Sequence, residues 1–147
     1  MGMSRVFWDA NLFIYLFEEF NHKDLSKRTI ALRKRMIDRG DQLLTSTMTI
    51  GEVLVKPVRV GDSVTSRFYE DSILGSALVI PFDLKAARIY ANLRATRKRS
   101  ELRPPDAIQL ACAASAGVDL FITNDSRLDH ERVPGIQFVT SLDRAPL

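Results

Sequence analysis

The stretch Gly117-Val118-Asp119-Leu120-Phe121-Ile122-Thr123-Asn124-Asp125 decides the fold. Gly117 follows an apolar helical run and stops it, as a glycine just past a helix end does. Residues 118–123 then read as a buried strand that leaves through a polar residue and an acid. The N-terminus repeats the plan: Val6-Phe7-Trp8 is a short apolar strand, Asp9 ends it, and Asn11 follows. Outward from these two, residues 42–46, 77–81 and 137–140 are further strands. The intervening periodicity and capping signals predict helices over 11–20, from Asp24 or Ser26 to Gly40, and from Ser46 or Thr47 through Glu52. Three more are predicted from Asp62 or Ser63 to Gly75, from Asp83 to about Arg99, and from Pro105 to Gly117. Strands without polar alternation, each separated by helix, make an α/β protein with a central parallel sheet of about five strands, covered on both faces.

No linker, repeat or low-complexity segment divides the chain, and 147 residues suit one core, so one domain is expected over residues 1–147. No apolar run reaches the length of a membrane span, and the N-terminus lacks a signal-peptide plan; a cytoplasmic location, with no membrane partner, is the expectation. Val6 stands where a myristoylation signal needs Ser or Thr. Cys112 is the only cysteine, which excludes an intrachain disulfide. It lies in an Ala-rich helical run, where a small buried hydrophobe is expected. Net charge is +3, unevenly spread. Lys85, Arg88, Arg94, Arg97, Lys98, Arg99 and Arg103 form one basic group, and Lys27, Arg28, Arg33, Lys34, Arg35 and Arg39 another. Such groups are solvated helix faces or a surface that tracks phosphates.

Four acids differ from the rest in context. Asp9 and Asp125 end strands, while Glu52 and Asp106 lie in early helical turns among small or apolar neighbours. In a parallel α/β sheet such positions converge on a crevice at the carboxyl ends of the strands. Each has a local explanation: a first-turn acid favoured by the helix dipole for Asp106, a capping-box partner of Thr49 for Glu52, an Asx turn for Asp125. Asp9 has the weakest one, because a carboxylate at the end of a central strand is costly unless partnered. Together, carboxylates at about 4 Å repel by about 4 kcal/mol per pair at an effective dielectric of about 20, so a cation is wanted among them. An all-oxygen set without His or Cys suits Mg²⁺ or Mn²⁺ rather than Zn²⁺. Other chemistries fit poorly: no glycine-rich phosphate loop and no G-x-S-x-G elbow occur. Asn11 stands where an aspartyl-phosphate phosphatase needs its general acid.

Four blocks carry a resemblance: Val6-Phe7-Trp8-Asp9-Ala10-Asn11, Ser46-Thr47-Met48-Thr49-Ile50-Gly51-Glu52-Val53, Pro105-Asp106-Ala107-Ile108-Gln109-Leu110-Ala111 and Phe121-Ile122-Thr123-Asn124-Asp125. In this order and spacing the sequence resembles the PIN-domain ribonucleases, and among them the VapC-type toxins of toxin–antitoxin pairs. The resemblance implies a three-layer α/β/α PIN-like domain and metal-dependent endonucleolytic cleavage of RNA with Mg²⁺ or Mn²⁺. It implies Asp9, Asp106 and Asp125 as metal ligands, with Glu52 completing the catalytic set by positioning the ion or the attacking water. Asn11 and Thr123 would support these ligands from behind. It further implies a homodimer and a small antitoxin partner that blocks the cleft. Trp8 and Gln109 depart from the family's usual residues, an aliphatic or Tyr and often a His, without removing a ligand. The alternative expectation is a PIN-fold module that binds RNA or scaffolds a complex without turnover.

Overall fold

In the computed structural model, which describes residues 3–147, five strands form one sheet. In chain order the elements are β1 (Arg5–Trp8), α1 (Ala10–Phe17), α2 (Lys23–Arg39), β2 (Gln42–Ser46), α3 (Thr47–Arg59), α4 (Ser63–Ser76), β3 (Leu78–Ile80), α5 (Leu84–Thr96), α6 (Pro104–Ala116), β4 (Val118–Ile122), a 3-10 turn (Ser126–Leu128) and β5 (Ile136–Thr140). The sheet order is β3-β2-β1-β4-β5, and every pairing is parallel, as the apolar strands without alternation require.

The order reverses at β1. The chain steps outward from β1 to β2 to β3, then returns through α5 and α6 to lay β4 on the other side of β1. Side-chain alternation along the strands feeds two apolar layers, one on each face. Val6, Trp8, Leu43, Leu120 and Ile122 pack with residues of α1, α2 and α3. Phe7, Leu44 and Phe121 pack with residues of α5 and α6. Phe7 and Phe121 are register partners, and their rings stack at 5.1 Å, which locks β1 beside β4 where the order switches. Trp8 is fully buried against Phe13, a core residue rather than part of the cleft floor.

The local chemistry matches the sequence at most boundaries. Ser46, Asp62 and Asp83 each accept a backbone N–H at the start of a helix. Gly117 ends α6 at φ 71°, a backbone setting that strains any residue with a Cβ. Gly135, at φ 100°, lets the loop before β5 press on α6: a Cβ there would meet the Ala114 carbonyl oxygen at 2.5 Å. Three helix boundaries differ by more than one residue. The first helix stops at Phe17 rather than Phe20, because Glu18 leaves helical geometry and its carboxylate is drawn to Lys56 at 2.7 Å. The second starts after His22, with Asp24 in its first turn paired to Arg28 rather than capping. The fifth ends at Thr96 rather than Arg99, where Arg97 turns away to a largely buried ion pair with Glu131 at 2.6 Å. Among the described residues, no helix is long and apolar enough to cross a membrane.

Candidate metal centre

The reversal of strand order leaves a crevice beyond the carboxyl ends of β1 and β4, the place where open α/β sheets bind ligands. A cavity of about 410 Å³ lies there, lined by Asp9, Asn11, Ile14, Glu52, Arg103, Pro104, Pro105, Asp106 and Asp125. All four acids singled out in the sequence therefore face one space, each delivered by a different element. Asp9 follows β1 and caps α1, Glu52 sits in the second turn of α3, Asp106 in the first turn of α6, and Asp125 caps the 3-10 turn after β4.

Asp9 is the anchor. It is 7% exposed, and both of its oxygens are partnered. Oδ1 accepts from the Ala10 N–H at 2.8 Å and from Gln109 Nε2 at 3.3 Å, while Oδ2 accepts from Thr123 Oγ1 at 2.8 Å. Thr123 Oγ1 in turn accepts from the Asp125 N–H at 3.1 Å, so one hydroxyl fixes the spacing of two acids. Gln109 extends the support. Its Nε2 donates to Thr49 Oγ1 at 2.8 Å, and its Oε1 accepts from Ser46 Oγ, the α3 cap. The Thr49 and Thr45 hydroxyls stand 2.8 Å apart, and Thr45 donates to the Trp8 carbonyl at 2.9 Å. This buried polar network ties β1, β2, α3 and α6 together behind the acids.

The electrostatics follow from burial first and from mutual charge second. Burial raises the Asp9 carboxyl above the ordinary carboxylate range, against the lowering bonds from Thr123 and Ala10, and Asp106 adds repulsion. Burial also pushes Glu52 up to about 7, with further repulsion from Asp9 and Asp106. Asp106 is raised by burial, opposed by Arg103 and Arg127. Asp125 moves the other way, held low chiefly by its hydrogen bonds to Arg127. Repulsion between carboxylates, the argument made from sequence, is thus real but secondary to desolvation.

The local explanations divide. Glu52 is no capping-box partner: Ser46 caps α3, and Glu52 makes no hydrogen bond or ion pair among the described residues. Asp106 does lie in the first turn of α6, where the helix dipole favours an acid, while Arg103 holds the cap position. Asp125 does form the Asx turn, with Oδ1 accepting from the Arg127 N–H at 3.0 Å. Two arginines stand among the acids. Arg103 Nε lies 3.6 Å from Asp106 Oδ2, and Arg127 forks onto Asp125 while its Nη2 lies 3.9 Å from Asp106 Oδ2. Among the described residues, no three His, Cys, Asp or Glu side chains form a ready-made ion cage in this arrangement. The donor set still fits a hard divalent cation: it is all oxygen, and the buried Asn11 Oδ1, in the same lining, accepts no hydrogen bond from the protein.

Sequence reasoning reached every acid but missed two residues that shape the site. Gln109 stood only as a departure, although a lone polar residue three positions after Asp106 in an apolar helix shares its face. Arg127 lies outside both basic groups, and its position two residues after Asp125 gave no periodic signal. Of the basic groups, Arg103 reaches the cleft. Arg28, Arg94 and Arg97 are engaged within the fold by Asp143, the Leu102 carbonyl and Glu131.

A family model described as PIN domain matches residues 6–134. No curated protein matches the sequence. The fold is similar to several solved structures. VapBC2 from Rickettsia felis bound to a DNA fragment from their promoter is 15% identical at a TM-score of 0.68, covering 92% of this chain and 97% of that one. DNA-bound VapBC from Salmonella typhimurium is 20% identical at 0.64, with 95% and 99% covered. FitAcB from Neisseria gonorrhoeae is 19% identical at 0.62, with 95% and 99% covered. At these identities the likeness concerns the fold.

Proposed function

The chain belongs to the PIN-domain family, and on that premise we propose that it is a metal-dependent endoribonuclease, the toxin of a toxin–antitoxin pair. The observation that carries the enzymatic part is the convergence of Asp9, Glu52, Asp106 and Asp125 on one open cleft at the switch point of the sheet. Asp9, Asp106 and Asp125 would hold Mg²⁺ or Mn²⁺, with the unpartnered Asn11 oxygen beside them. A bound ion would supply Lewis acidity toward a phosphodiester and lower the pKa of a bound water.

The chain's own residues do the rest. Thr123 and Gln109 fix the Asp9 carboxylate in direction, so that its geometry is set before any ligand arrives. Glu52, whose side chain makes no hydrogen bond or ion pair among the described residues, faces the cleft from α3 and would position the ion or an attacking water. Arg103 at the rim favours an anionic backbone over a neutral substrate. RNA as the substrate rests on the family resemblance. The antitoxin partner rests on that resemblance and on the toxin–antitoxin proteins from Klebsiella pneumoniae and Mycobacterium tuberculosis among the similar folds. It predicts a short neighbouring reading frame for a small DNA-binding protein. Incubation of the purified protein with single-stranded RNA, structured RNA and DNA, each with Mn²⁺ and with chelator, tests the enzymatic reading. Chelator-sensitive internal cleavage of RNA is expected. Mn²⁺ binding without cleavage of any substrate would favour a binding or scaffold module instead.

A further inference from the structure

Arg127 has no part in the chemistry above, yet it stands against two of the four acids, Asp125 and Asp106. Its guanidinium forks onto Asp125, Nε to Oδ1 at 2.9 Å and Nη2 to Oδ2. Its backbone N–H adds a second donor to Oδ1 at 3.0 Å, and Nη2 lies 3.9 Å from Asp106 Oδ2. Both side-chain oxygens of Asp125 are therefore covered by a cation of the same chain, which also leans on a second acid. A divalent cation held by Asp125 would be opposed by the guanidinium, which occupies sites on both oxygens and repels a second cation beside it. Leaving is cheap. The Arg127 side chain is 48% exposed, and these two carboxylates are its only partners among the described residues. It would move into the mouth of a cleft where a phosphodiester would lie, and a guanidinium fork fits phosphate oxygens as it fits a carboxylate. Arg103 lacks this role, since its single contact at 3.6 Å covers no oxygen of Asp125.

We propose that Arg127 exchanges partners: it covers Asp125 at the edge of the acid cleft as an internal counter-cation in the ion-free protein, and an entering divalent cation displaces it onto a non-bridging phosphate oxygen of the substrate. The inference rests on the nuclease reading and adds to it a residue that contacts substrate only after the ion has bound.

The test combines calorimetric Mn²⁺ titration with RNA cleavage at saturating Mn²⁺, on the wild type, Arg127→Met and Arg127→Lys, each checked for folding by thermal melting. Arg127→Met should bind Mn²⁺ about five- to tenfold more tightly, because the competitor is gone. The same variant should cleave RNA about tenfold or more slowly once saturated, and Arg127→Lys should restore part of that rate. Tighter binding joined to slower cleavage is a signature that a purely structural residue does not produce. Equal or weaker Mn²⁺ binding by folded Arg127→Met overturns the exchange, as does undiminished cleavage. If neither the wild type nor the variant binds Mn²⁺, the nuclease reading itself falls and takes the exchange with it. Equal binding by both leaves the nuclease reading standing and removes the exchange alone.

Discussion

Replacing Glu52 with Gln should make the ion-free protein more stable at alkaline pH and leave it unchanged in acid. In the unfolded chain Glu52 ionises at its ordinary 4.5, but in the cleft burial and the charges of Asp9 and Asp106 hold its proton until about pH 7. Between those values the native state binds more protons than the unfolded state, so this group's contribution to stability falls as pH rises and is flat above about 7. A factor of ten in proton affinity is about 1.4 kcal/mol, which sets a ceiling of about 3 kcal/mol for the whole interval. Solvent on the open side of the cleft screens part of it, leaving about 1–2 kcal/mol. For a chain of this size that is a rise of about 3–6 °C in melting temperature. The assay is thermal melting of both proteins in chelator across a pH series. The difference should be near zero at about pH 4.5, grow through the interval and level off by about pH 8. With saturating Mn²⁺ it should vanish, since an ion in the cleft stabilises the ionised carboxylate. A difference that is constant with pH, or a Gln variant less stable at alkaline pH, would refute the electrostatic account of the cleft.

Three further perturbations probe the same site. Thr123→Val removes the donor to Asp9 Oδ2 and the acceptor of the Asp125 N–H, and should cost about 1–3 kcal/mol in denaturant unfolding. Gln109→Leu removes the acceptor of the Ser46 hydroxyl, a donor to Thr49 Oγ1 and one bond to Asp9; it should destabilise by a similar amount and lower cleavage at saturating metal, and an unchanged midpoint would contradict the network. Asp106→Asn in chelator should melt no lower than the wild type, because Asp106 caps no backbone group and its ionised form is disfavoured by burial. A loss of several degrees there would restore a structural role for that acid.

The layered order of the fold was legible because each signal was local. The apolar strand β1 ends at an acid, and helices end at glycines such as Gly40 and Gly117 that take the left-handed or positive-φ backbone a stop requires. The misplaced ends of α1 and α5 have a different origin. Glu18 and Arg97 have good helix-forming side chains but leave their helices for partners 38 and 34 residues away, Lys56 and Glu131. No window of neighbouring residues contains that information. The site divides in the same way. The four acids were found because three sit at or beside an element boundary and Glu52 lies in the second turn after one. Gln109 and Arg127 act through contacts with Asp9, Thr49 and Asp106 that the sheet order creates. Asp125 shows that a local reading and a functional one can both hold: its Asx turn is present, and the same carboxylate faces the cleft.

If these carboxylates hold a divalent cation for RNA hydrolysis, removing the charge of one ligand should stop the reaction. Cleavage of single-stranded RNA by the wild type and by Asp9→Asn, with Mn²⁺ and after chelation, tests it most directly. The Asn variant keeps the shape of a side chain already held by Thr123 and Ala10 while removing its charge. The account predicts Mn²⁺-dependent internal cleavage by the wild type, abolished by chelator and reduced at least about a hundredfold in Asp9→Asn. Cleavage that survives chelation, or an Asp9→Asn protein that cuts as fast as the wild type with Mn²⁺, would contradict it.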